Sequence, residues 1–134
     1  MKDFKGIYYL HGSLNKAIED ILHSIYKHRE FEIPASPKLD VIVNKHFIDI
    51  YADMPGVDIN DFKVYLVDRK LIIEGVKKMY KHHQKVNYIL MEREFFPFRK
   101  IIELPYDVNY ENGFAKLKDG VLHIRLERHV YENY

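Results

Sequence analysis

The side chains best suited to chemistry in this chain are its carboxylates and imidazoles. Asp49, Asp53, Asp58 and Asp61 crowd one short stretch, and Glu92 and Glu94 flank Arg93. Paired carboxylates do general acid–base work when their environments hold one of them protonated. Asp58 and Asp61, however, follow Pro55-Gly56, where aspartate side chains cap turn amides. Asp49 and Asp53 share one strand face with Phe47 and Tyr51, and Glu92 and Glu94 share a face opposite Arg93. A solvated face or interface ion pairs explain these acids better than catalysis does. Among the eight histidines, the adjacent His82 and His83 point to opposite sides of an extended chain. His23 and His28 miss a common helical face, and no H-E-x-x-H occurs. No metal site is expected. The absence of cysteine excludes disulfides, thiolate ligands and thiol nucleophiles. Ser13, Ser24 and Ser36 are the only serines and there is no threonine. Neither G-x-S-x-G nor a phosphate-cradling glycine loop is present. No catalytic residue, cofactor or enzymatic activity is expected.

The rest of the composition describes a body built to pack rather than to react. A chain of 134 residues and 16.1 kDa makes one ordinary domain with short arms, able to bury about two thirds of its unfolded surface. Apolar residues make up 47% and charged residues 31%, as in globular proteins. Lys+Arg is 21 against 20 for Asp+Glu, a net charge of +1. That leaves no field to attract a polyanion, so the eleven tyrosines are not read as a base-stacking platform for nucleic acid. No apolar run approaches the roughly 18 residues a membrane span needs, and Met1-Lys2-Asp3-Phe4-Lys5 does not open a signal peptide. No membrane partner is expected, and the expected location is cytoplasmic.

Periodicity divides the chain into an arm, a strand-rich body and a tail. Residues 1–12 are aromatic and irregular. Leu14, Ala17, Ile18, Ile21, Leu22 and Ile25 then form a stripe with helical spacing, and Ser13 stands as its N-cap. This predicts an amphipathic helix near 13–28 within an arm of residues 1–37. The helix either docks on its own domain or serves as an adhesive arm. Pro34-Ala35-Ser36-Pro37 breaks regular structure. Over 38–128 the period becomes 2. Ile48, Ile50 and Ala52 alternate with polar or aromatic partners, as do Phe62, Val64 and Leu66, and again Leu122, Ile124 and Leu126. Leu71–Ile73, Ile89–Met91 and Ile101–Leu104 add apolar runs. Asp119-Gly120 between alternating runs marks a hairpin. Seven or eight short strands with no helix between them predict an antiparallel sandwich or barrel. The connection from Gly75 to Tyr88 is long for a hairpin and carries four lysines and no acid.

The order of these signals resembles the α-crystallin domain of the small heat-shock proteins. Ala52-Asp53-Met54-Pro55-Gly56-Val57 with Asp61-Phe62-Lys63-Val64 resembles the family's A-D-x-P-G-V … D-h-x-V stretch, where h is apolar. Leu71-Ile72-Ile73-Glu74-Gly75 resembles its L-x-I-x-G. Asn87-Tyr88 with Glu92-Arg93 resembles N-Y … E-R, and Phe98-Arg99-Lys100 with Leu104-Pro105 resembles F-R-R … L-P. Ala115-Lys116-Leu117-Lys118-Asp119-Gly120-Val121-Leu122 resembles the A-x-x-x-n-G-V-L signature. The resemblance covers about two thirds of the chain. It implies an all-β, immunoglobulin-like antiparallel sandwich with a short helical N-terminal arm. It also implies an ATP-independent holdase that shields unfolding client proteins. The long connection would carry a small strand that pairs with a partner's sheet edge. Val76, Met79, Tyr80, Val86, Tyr88, Arg99 and Lys100 would then line a homodimer interface. Lys100 stands where the family often has a second arginine, and lysine cannot make the same bidentate pair. The tail, 129–134, lacks the family's Ile-x-Ile motif, so a dimer or small homo-oligomer is expected rather than a cage. Clients would meet the arm residues Phe4, Ile7, Tyr8, Tyr9 and Leu10 (with Phe31 nearby). They would also meet a groove lined by Val64, Leu66, Leu122 and Ile124. The alternative is a co-chaperone or scaffold sandwich that binds one defined folded partner.

Overall fold

Two-residue alternation across a short chain buries one face of every strand, and two such faces closed on each other make a sandwich. The computed structural model describes residues 7–11 and 37–129. The described residues form eight strands: β1 (Ile7–His11), β2 (Leu39–Val43), β3 (Phe47–Asp53), β4 (Phe62–Val67), β5 (Lys70–Lys77), β6 (Phe96–Glu103), β7 (Val108–Lys118) and β8 (Val121–Arg128). They make two four-stranded sheets, ordered β1-β4-β5-β6 and β2-β3-β8-β7. All pairings are antiparallel.

The predicted alternation supplies the core. Ile48 and Ile50 of β3, Val64 and Leu66 of β4, Leu71 and Ile73 of β5, and Leu122, Ile124 and Leu126 of β8 are fully buried between the sheets. Burying each such side chain favours folding by about 1.5–3 kcal/mol before chain entropy is counted. The β7–β8 turn is the Asp119-Gly120 hairpin. Both residues sit at positive φ, 53° and 77°, the mirror-image turn that matches strand twist. Asp58 caps its turn as expected, its carboxylate accepting a hydrogen bond from the Asn60 amide at 3.1 Å. Asp61 does not cap with its side chain; its carboxylate lies buried beneath the start of the β5–β6 connection.

Two expectations are corrected. Part of the arm read as irregular forms β1, paired along β4 with Ile7 opposite Val67, Tyr8 opposite Leu66 and Tyr9 opposite Tyr65. An edge strand presents unpaired amides and carbonyls, and an extended segment brought alongside satisfies them whatever its own periodicity. In addition, residues 78–95 hold no strand in this single chain, although Ile89–Met91 read as a strand-like apolar run. Among the described residues, no neighbouring strand lies beside them to complete a ladder. The expected helix near 13–28, Phe4 and Phe31 lie outside the described residues, as does the tail beyond His129.

Candidate client and partner surfaces

The four residues read as groove lining belong to the buried core cluster. Val64, Leu66, Leu122 and Ile124 all have 0% exposure. Beside them β1 lies along the free edge of β4 and touches β7 of the opposite sheet. Of the arm residues, Leu10 packs on the core cluster, while Ile7, Tyr8 and Tyr9 are placed by their backbone pairing with β4. The flank where the sheets part is therefore covered by the chain's own strand.

The opposite flank is open. Strand β2 ends its sheet, so one of its edges is unpaired among the described residues. Val41 and Val43 stand opposite core residues Ile50 and Ile48 and so face inward, yet they are 40% and 39% exposed. The long β5–β6 connection is exposed as well. Met79, Tyr80, Val86 and Tyr88 lie on the surface, and Ile89, Leu90 and Met91 extend the patch, Ile89 being fully exposed. Sequence reasoning missed these last three by assigning them to a strand, and missed Val41–Val43. A run of consecutive apolar residues on an edge strand, where one face should be polar, is the signal that marks the latter.

The connection is not featureless. The His82 ring packs edge-on to Tyr80 and Tyr88, and its Nε2 lies 3.2 Å from the Tyr88 hydroxyl. A cleft of about 250 Å³ opens among Met79, Tyr80, Tyr88, Leu90, Met91 and Phe95. At the start of the connection, Lys78 Nζ sits 3.2 Å from Oδ1 of the buried Asp61. Val76, by contrast, is buried on β5. Arg99 is engaged within its own chain, with Nε 3.4 Å from Glu74 Oε2. The buried Glu74 carboxylate also accepts the Tyr65 hydroxyl at 2.9 Å and pairs with Lys63 at 3.3 Å. Burial, with Glu74 alongside, pushes the Tyr65 hydroxyl far above its ordinary range. Lys100 stands opposite core Ile73 on edge strand β6 and is half-buried.

Of the acids that raised the question of catalysis, Asp49 is the most constrained. Its carboxylate accepts Arg125 Nε at 2.8 Å and Nη2 at 3.2 Å, and lies 2.8 Å from His123 Nε2. The Arg125 hydrogen bonds hold the Asp49 carboxyl below its usual range, His123 adds to this, and partial burial opposes it. His123 stacks on Tyr51 at 4.4 Å, and Arg125 lies 4.4 Å over the Phe47 ring. Both carboxylate oxygens of this aspartate are engaged by structural partners, as an ion-pair role requires.

The antiparallel two-sheet sandwich accords with the comparisons. Residues 40–133 match the model of the Hsp20/alpha crystallin family. The chain belongs to that family. Hsp20 proteins are small heat-shock chaperones rather than enzymes. The chain is 25% identical over 126 residues to small heat shock protein C4 of Rickettsia felis, spanning 88% of this chain and 77% of that one. It is 29% identical over 106 residues to spore protein SP21 of Stigmatella aurantiaca, spanning 79% of this chain but 63% of the relative. Among solved structures, heat shock protein 16.0 of Schizosaccharomyces pombe superposes with a TM-score of 0.64 at 24% identity, covering 75% of this chain and 96% of that one. A small heat-shock protein of Xylella fastidiosa gives 0.63 at 25%, covering 75% and 92%. Among the described residues, no helix is long and apolar enough to cross a membrane.

Proposed function

We propose that this Hsp20-family chain is an ATP-independent holdase that works as a homodimer in the cytoplasm. The observation that carries the reading is the exposed apolar run at the tip of the β5–β6 connection. Tyr88 through Met91 sit in solvent on a single chain, which a soluble domain tolerates only where a partner covers the surface. The free edge of β2 offers the complementary surface. Residues 86–91 of one copy, laid as a strand on β2 of the other, satisfy that edge and cover Val41 and Val43. Met79, Tyr80 and Lys100 border this contact. Arg99, engaged with Glu74, supports it from within its own chain. Val76, already buried, steadies the base of the connection.

Client binding then falls to apolar segments outside the dimer contact: the arm with Phe4, Ile7, Tyr8, Tyr9 and Leu10, and the inter-sheet flank that β1 covers. Adaptable apolar segments suit clients that share no sequence. Because Val64, Leu66, Leu122 and Ile124 are fully buried, they meet a client only after β1 departs. The test is suppression of light scattering by two unrelated aggregating proteins, without nucleotide, beside a solution mass. Protection of both clients by a dimer or small oligomer supports the reading. Protection of neither supports the co-chaperone or scaffold alternative, in which the sandwich binds one defined folded partner.

A further inference from the structure

Where β3 and β5 finish and β6 begins, the two sheets leave a cavity of about 210 Å³ at one end of the sandwich. Its lining includes the core residues Met54 and Phe98, with Val57 and Phe96 packed beside them. Lys77 stands in the same lining. Its Nζ lies 6.0 Å from the centre of the Phe96 ring, and the Arg93 guanidinium lies 5.1 Å from that of Phe95. These two cations converge on the Pro55-Gly56 turn. A Cβ added at Gly56 would meet Lys77 Cε at 2.9 Å, with Lys77 Nζ 3.5 Å and Arg93 Nη2 3.8 Å away. Gly56 holds φ at 76°, a conformation that glycine adopts without cost, and it leaves the space between the two charges open. Among the described residues no carboxylate pairs with Lys77 or Arg93, neither Glu92 nor Glu94 included. Lys38 and Asp53 also border the cavity, and their charges offset one another. Two like charges aimed at one point without a counter-ion repel, and an anion between them removes that repulsion.

We infer that this end of the sandwich binds a small apolar carboxylate, with its hydrocarbon part in the cavity and its carboxylate between Lys77 and Arg93. An apolar cavity with a few convergent polar groups is the common form of a small-ligand site. The cavity is smaller than the roughly 300 Å³ at which pockets for drug-sized ligands begin, so the ligand is a short aliphatic or single-ring acid. A bare phosphate would satisfy the cations and leave the apolar lining wet. A neutral hydrocarbon would fill the lining and leave the charges unpaired. None of the site residues belongs to β1, to β2 or to the exposed tip at 88–91. The inference therefore stands apart from both the subunit contact and the client activity proposed above.

The test titrates octanoate, butanoate and octanol into the full chain by calorimetry. Octanoate should saturate at one per chain. Each methylene moved from water into an apolar site strengthens binding about fourfold, so octanoate should bind at least about tenfold more tightly than butanoate. Lys77→Gln with Arg93→Gln should weaken octanoate about fivefold and leave octanol unchanged. Arg93 is exposed and Lys77 half-buried outside the core cluster, so this variant should keep cooperative unfolding. Val57→Phe, which fills the cavity, should weaken both ligands; if it loses cooperative unfolding, the double variant alone carries the comparison. Amide shifts on adding octanoate should centre on Val57, Lys77 and Phe96. Binding that does not saturate, shifts confined to other residues, equal affinity for octanoate and butanoate, or indifference to the double variant would each overturn the inference. Client protection, measured without octanoate, reports separately on the holdase reading. A chain that protects clients and ignores octanoate refutes this site alone, and one that binds octanoate and protects neither client refutes only the holdase.

Discussion

Asp49 illustrates how a residue with catalytic credentials is consumed by structure. It lies on the outward face of β3, directly opposite Arg125 of β8, and its oxygens are taken by Arg125 and His123. Charge-assisted hydrogen bonds of this kind are stronger than neutral ones, so Asp49→Asn should lower stability by about 1–2 kcal/mol in urea unfolding at neutral pH. The sign of the pH dependence follows from the depressed carboxyl. A folded-state value below the unfolded one stabilises the fold fully above the ordinary carboxylate value, near 4, and loses that contribution as pH falls through the lower folded value. The gap between wild type and Asp49→Asn should therefore hold from pH 7 to about 5 and close progressively below about pH 4. A gap that widens on acidification would refute this assignment.

At the scale of elements, the β5–β6 connection joins a pinned base to an exposed tip. The buried Asp61 carboxylate faces Lys78, and removing a cation from beside a buried acid leaves an unfavourable charge behind. Lys78 is more than half exposed, so the penalty for Lys78→Ala should be modest, about 1–2 kcal/mol by denaturant unfolding. Hydrogen exchange should quicken first in residues 78–95. The tip behaves differently. Ile89 is fully exposed and Leu90 largely so, so neither buries much surface in a single chain. Ile89→Asp with Leu90→Asp should therefore leave the unfolding of the monomer within about 0.5 kcal/mol of wild type. The same pair of changes should shift the solution mass from dimer to monomer by light scattering. Loss of the fold instead would mean that the tip packs on its own domain.

At the scale of the molecule, the sandwich has one flank closed by its own arm strand and, among the described residues, one flank open along β2. Coupling of folding to self-association makes stability depend on concentration. The melting temperature of the wild type should rise by several degrees across a hundredfold increase in protein, roughly as mass action requires, whereas the tip variant should melt at one temperature throughout. A concentration-independent melt for both would argue that the open β2 edge is not a subunit contact.

Period-two alternation alone determined most of this body. Ile48-Ile50-Ala52, Val64-Leu66 and Leu122-Ile124-Leu126 announce their strands and their buried faces, because a one-residue slip would turn every apolar side chain to water. Asp119-Gly120 likewise declares its turn, since few residue pairs accept positive φ twice in succession. The tertiary structure decided what no local pattern encodes. Ile89–Met91 look like a strand, but a strand exists only beside another, and among the described residues none lies next to them. Ile7–His11 carry no strand-like alternation, yet they become β1 because β4 offers an unsatisfied edge. The groove residues were legible as apolar and as neighbours; their complete burial depended on a segment more than fifty residues away in the chain. Gly113 shows no turn signature in the sequence, for its role is to leave room beside Leu10 and Leu126, and room is a property of the neighbours that packing brings together. Local periodicity fixes which face of a strand is buried, while pairing and packing, which join distant residues, fix what lies against it.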